Sequence, residues 1–249
     1  MYLSRLILNP QSREVQRDLS DCQNMHRTVM SAFPQMQESQ QNRLHLGVLY
    51  RVEHHARNGL TALLVQSRVE PDWSVLEPGY LLAMDGGGNP MCKSVDRPYQ
   101  RISDGMVLSF RLDANPTKKI DTKTGSDGRR RHGKRVELLS VDSQLEWLKR
   151  KGLQGGFELM TSTARQGDPN ARALRGVKVH GWHGTMDDES SAVRSGKMTF
   201  QKVTFEGLLK VTNAAGFRAT LEKGIGTAKA YGFGLLSVAS VRVGRGARP

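Results

Sequence analysis

Two sets of residues in this 249-residue chain have the types and spacing to do chemistry. They are its histidines, which exchange protons near neutral pH, and a run of glycines and lysines near its end. The run is Leu221 to Val238, LEKGIGTAKAYGFGLLSV, with Gly224 and Gly226, then Gly232 and Gly234, and Lys223 and Lys229 among them. Glycine admits positive φ and lets another chain come close to bare amides, and amides strung beside a lysine form a hollow suited to phosphate. A helix cap with a tight turn explains one or two such glycines; four with a lysine between strain it. A dinucleotide is disfavoured by order, because its glycines follow a strand, open a helix and precede an acidic residue by about 20 positions. Here they follow a predicted helix, with Asn213 as N-cap, Ala214, Phe217 and Leu221 on one face and Gly224 at its end, and no Asp or Glu occurs after Glu222.

The chain has seven histidines. His54 and His55 adjoin in a strand-to-turn region, where neighbours point to opposite faces and make poor joint metal ligands. His180 and His183 sit in a polar stretch, and His132 lies among basic residues as one more solvated donor. Asp187, Asp188 and Glu189 have no second carboxylate cluster at metal-binding spacing, so no metal and no cofactor is expected. His26 stands one position off the apolar stripe Met25, Val29, Phe33 of a predicted helix, with Arg27 beside it. An imidazole at such an edge is an ordinary surface group as readily as a proton carrier.

Charge narrows the partners. The formal net charge is +13 and the isoelectric point about 10.1, which points to a polyanion. Eight basic residues crowd between 118 and 135 (Lys118, Lys119, Lys123, Arg129, Arg130, Arg131, Lys134 and Arg135) against Asp121 and Asp127. A solvated loop is the plain reading of such a run; beside the glycine–lysine turn it favours phosphate contact. Aromatic residues are only 6%, and no strand alternates them as a stacking platform for single strands does. Recognition of backbone and shape, as in a folded RNA stem, fits better. No apolar run reaches the length of a membrane span, and two distant cysteines, Cys22 and Cys92, fit a reduced cytoplasm without disulfides.

The elements that must position these groups read as an α+β fold. Met1 to Leu8 is a predicted strand, Ser12 and Ser20-Asp21 open two helices, Leu44 to Val52 and Thr61 to Arg68 are strands, Trp73 to Leu76 a short helix and Tyr80 to Met84 a closing strand. That order, βαββαβ, is the ferredoxin-like unit. It repeats with Met106 to Leu112, Val141 to Leu153, Phe157 to Met160, Met198 to Val211, the helix after Asn213 and Leu235 to Val243. A polar insertion between Thr161 and Lys197 is expected to project as a hairpin or loop. The chain therefore divides into two tandem ferredoxin-like domains, 1–90 and 105–249, with 91–104 as linker.

MYLSRLILNP at the start, M-H-R-T-V with F-P after it, EPDWSVL with GY, FRL-ANPTKK and the terminal G-I-G-x-x-K-x-x-G-F-G-L-L-S-V together resemble the CasE family, nearly end to end. These are the CRISPR RNA endoribonuclease subunits of type I-E Cascade complexes, within the RAMP superfamily. The resemblance implies two ferredoxin-like domains, binding of the CRISPR repeat stem-loop, one metal-independent cut at its 3′ base, and retention of the product with other Cascade subunits. It also implies that His26 is the catalytic histidine; Arg27 beside it, or a lysine from a loop, is the group expected to stabilise phosphorane charge. The basic loop and Lys223, Gly224, Gly226, Lys229, Gly232 and Gly234 are the expected RNA contacts. Relatives carry a tyrosine three residues before the histidine, where this chain has Gln23. A non-catalytic RNA-binding assembly subunit is the alternative that this departure keeps open.

Overall fold

A computed structural model describes residues 1–35, 42–84, 88–124, 130–161, 171–174, 177–183 and 196–241. Strand β1 (Tyr2–Leu8) leads into helices α1 (Arg13–Ser20) and α2 (Cys22–Ser31). Ser12 accepts from the Val15 amide and Asp21 from that of Gln23, so each helix has its own N-cap, and the extended backbone at Asp21 separates the two. A helical turn, α3 (Asn42–His45), precedes Gly47, whose φ of 62° redirects the chain into β2 (Leu49–His54). The strand expected from Leu44 therefore starts later. β3 (Thr61–Ser67) pairs antiparallel with β2 and β1.

The expected second helix is a single 3-10 turn, Trp73–Val75, capped by Asp72. The strand expected at Tyr80 to Met84 is replaced by one bridge, Leu8 to Leu81. The fourth place in the sheet goes to β4 (Met91–Ser94), followed by α4 (Asp96–Gln100), so the stretch expected to be linker carries a strand and a short helix. All four β4 side chains are exposed; it is held through its backbone and has no apolar alternation to mark it.

The second half runs β5 (Val107–Ala114), hairpin arms β6 (Thr117–Thr124) and β7 (Arg130–Glu137), α5 (Val141–Gln154), β8 (Phe157–Leu159), β9 (Ala171–Leu174), β10 (Lys178–His183), β11 (Gly196–Gln201), β12 (Val203–Val211), α6 (Ala214–Lys223) and β13 (Leu236–Ser240). The two sheets are ordered β2-β3-β1-β4 and β13-β5-β12-β8. With the inserted strands β6, β7 and β9–β11 set aside, both follow the same βαββαβ path with the same neighbours, so the fold is two ferredoxin-like units. The basic run is thus largely two paired strands rather than a loop. The insertion before β12 lays β9 on the sheet edge and pairs β10 with β11.

Each sheet buries one apolar face under its helices. Leu6, Leu8, Val15, Met25, Val29 and Phe33 belong to the first core; Leu112, Trp147, Phe157, Phe205, Phe217 and Leu221 belong to the second. Between the units Arg51, only 2% exposed, joins β2 to β5 and β13. Its guanidinium donates to Glu53 (2.9 Å), the carbonyls of Leu235 (2.9 Å) and Arg111 (3.2 Å), and Ser237 Oγ (3.0 Å). Arg51→Met strands those acceptors and leaves Glu53 only the longer contacts to Arg111 at 3.7 Å and His55 at 3.8 Å. It should lower unfolding free energy by about 3–5 kcal/mol, seen as a lower urea midpoint at unchanged slope.

Candidate active site and nucleic-acid interface

Three elements converge on His26: α2, which carries it; the glycine-rich loop between α6 and β13; and the β10–β11 hairpin. On α2, Cys22, Met25 and Val29 are buried, and His26 comes out half-buried at the edge of that face. Its ring meets Tyr231 edge-on, with centroids 6.2 Å apart at 70°. Tyr231 stacks on Phe200 of β11 at 5.1 Å, and Phe200 meets Phe233 at 5.9 Å. The hairpin folds back onto α2 instead of projecting, and Gly181 permits this: a Cβ there would lie 2.6 Å from Cys22 Sγ. Buried Tyr50 on β2 donates its hydroxyl to the Ala230 carbonyl at 3.0 Å and pins the loop to the first sheet.

All four loop glycines have φ between 70° and 88°. The Gly224 amide donates to the Thr220 carbonyl (2.8 Å) and the Gly234 amide to the Asp113 carbonyl (2.8 Å), so the expected row of free amides is broken at both ends. A Cβ at Gly234 would stand 2.7 Å from the Ile225 carbonyl oxygen, and one at Gly232 3.1 Å from the Tyr50 ring. These glycines fold the loop. Lys229 donates to the Lys223 carbonyl at 2.6 Å and so braces the C-terminus of α6, while the Lys223 side chain is exposed.

Burial, then the guanidiniums of Arg43 and Arg27, push the His26 pKa down to about 4. The ring is neutral at pH 7. Its Nδ1 is buried without a hydrogen-bond partner among the described residues, as is Oε1 of Gln23 one turn earlier. Arg43, on α3, donates to the Val48 carbonyl at 3.0 Å. Lys229 is held below its usual pKa by burial and by Arg43, Lys151 and Lys223. Positive charge therefore runs from the histidine across the loop.

Beyond Gly226 the loop borders a cleft of about 510 Å³, walled by Lys118, Lys119, Arg135, Arg150 and Lys151 with no carboxylate among its described lining residues. Buried Asn115 Oδ1, at its side, has no partner among the described residues. Lys134 is exposed on β7, and the backbones of Arg130 and Arg131 lie on the same strand; their side chains, and the whole of Arg129, fall outside the described residues. Arg43, Tyr231, Phe200, Arg150 and Lys151 were not legible as site residues. The only sequence trace of the last two is the basic triplet at 149–151 on a helix, and Tyr231 lay unremarked within the glycine run. Among the described residues no three His, Cys, Asp or Glu side chains gather as a metal requires, and no helix is long and apolar enough to cross a membrane.

Comparison with known proteins agrees with this arrangement. A family model described as CRISPR associated protein matches residues 1–240. The CRISPR-associated endoribonuclease Cse3 of Thermus thermophilus is 34% identical over 241 residues, covering 96% of this chain and 100% of that one. The CRISPR system Cascade subunit CasE of Escherichia coli is 28% identical, covering 96% and 99%. A solved structure of Cse3 bound to a 19-nucleotide RNA superposes with a TM-score of 0.72 at 33% identity, covering 96% and 100%.

Proposed function

The chain belongs to the CRISPR-associated protein family, alongside Cse3 and CasE, and from that membership and the His26 site we propose that it is an endoribonuclease. It cuts CRISPR precursor RNA at the 3′ base of the repeat stem-loop without metal, then keeps the product as a Cascade subunit in the cytoplasm. The observation that carries this reading is the neutral, half-buried imidazole at the end of a cationic track.

Nε2 of His26 accepts the proton of the ribose 2′-OH. The freed O2′ attacks the adjacent phosphorus, the P–O5′ bond breaks, and the departing oxygen takes a proton from water. The products are a 2′,3′-cyclic phosphate and a 5′-OH. Arg43 and Arg27 stabilise the charge that gathers on the phosphoryl oxygens. Gln23, whose side-chain oxygen is buried without a partner among the described residues, stands in the place where relatives have a phenol. The hairpin stem rests on Lys118, Lys119, Arg135, Arg150 and Lys151, with Lys134 extending that surface along β7; Arg129, Arg130 and Arg131 are further RNA contacts in this reading.

Incubating the protein with its repeat RNA in EDTA tests this. A single cut leaving a 2′,3′-cyclic phosphate is expected; an intact hairpin would leave the non-catalytic subunit as the better reading. The lowered His26 pKa also sets the pH profile. A base works in its neutral form, so kcat/KM, which reports the free enzyme, should hold as pH falls through 6.5 and decline near 4. A bound phosphodiester favours the imidazolium, so the acid limb of kcat should lie at higher pH than that of kcat/KM. Stopped-flow rates between pH 4 and 8 check both.

A further inference from the structure

On the other side of the glycine-rich loop from the cationic cleft lies a second cavity of about 370 Å³, between the two sheets and under β10. That size is typical of small-ligand sites. Its walls include Leu19, Met25, Val52, Val179 and Phe233, with Tyr231 on the side shared with His26. Cys22, which also lines it, precedes His26 by one helical turn. The cavity therefore adjoins the proposed cleavage point.

Its polar groups do not suit an anion. Lys202 is held by Asp113 at 3.5 Å and Lys178 lies 3.9 Å from Glu137. Burial keeps the Cys22 thiol protonated, its pKa pushed up to about 11, and burial, with Lys202 and His55 nearby, lowers that of His54. Asp18, the other lining carboxylate, is held by Arg17 and by the Tyr80 hydroxyl, each at 2.9 Å, and what remains is apolar wall with neutral donors and acceptors, which suits an uncharged heterocycle. The loop thus divides two chemistries: Gly226 and Thr227 border the cationic cleft, Tyr231 to Phe233 the apolar cavity.

We propose that this cavity captures the nucleobase of one nucleotide flanking the scissile phosphate, so that the strand crosses the loop with its phosphates on the cationic side and one base drawn out of line. This rests on the reading of the chain as an RNA-cleaving enzyme. Captured there, the base would hold the ribose and phosphate in register with Nε2, and the cavity would select at the cut site.

The test uses repeat hairpins made uncleavable by a single 2′-deoxy nucleotide, with an abasic residue placed at each flanking position in turn. Loss of one base should weaken binding at least about tenfold, the scale of a single base–aromatic stack, and loss of the others should not. Val179→Trp, or Leu19→Trp at the more exposed rim, fills the cavity; either variant, folded by circular dichroism, should bind intact and abasic hairpins alike. Equal affinity of the wild type for every abasic hairpin would overturn the proposal, as would full base dependence in both filled variants. Because the readout is affinity, base dependence without cleavage of the all-ribose hairpin would refute the catalytic reading and leave the pocket standing.

Discussion

His26→Ala is expected to slow cleavage of the repeat hairpin by roughly 10²–10⁴-fold, the usual yield of a positioned acid–base group, while hairpin affinity stays within a few-fold of wild type. The separation follows from geometry. The cations proposed to hold RNA line a cleft beyond Gly226, whereas the imidazole sits across the loop against Tyr231. Single-turnover rates and filter binding on the same RNA measure the two quantities. Equal cutting by the variant in EDTA would remove His26 from the reaction.

The second large effect concerns that cleft. Arg150→Glu together with Lys151→Glu removes two of its five cations from one helix face. If each meets a phosphate, the slope of log affinity against log salt should flatten by about 1.8, and binding at 0.15 M salt should weaken at least about 30-fold. An unchanged slope would mean that the cleft faces solvent in the complex. The cut rate of RNA already bound should change far less, because neither residue is near His26.

The βαββαβ repeat was legible because its central strands and helices bury one face and so carry a period. Leu6 and Leu8 on β1, and Met25 and Val29 on α2, show it directly. β4 escaped because Met91 to Ser94 bury nothing. The edge position of His26 followed from its offset from Met25. Its chemistry did not, because Arg43 and Tyr231 reach it from two other elements, with Phe200 stacked behind Tyr231, and only the fold brings them together. The four glycines drew attention as a phosphate cradle, yet Gly224 donates its amide to Thr220 on α6 and Gly234 to Asp113 on β5. Sequence spacing shows that a backbone must turn there; it does not show where the amides point. Arg51 had no signal at all, since a buried cation linking two units looks in sequence like any arginine on a strand.

The most direct measurement replaces a single 2′-OH, on the nucleotide before the scissile phosphate, with hydrogen and follows cleavage and binding by the wild-type protein in EDTA. The expected result is an RNA that binds with unchanged affinity and is not cut at that phosphate. Continued cutting there would contradict the assignment, because the nucleophile would then be water and His26 would have no ribose proton to accept.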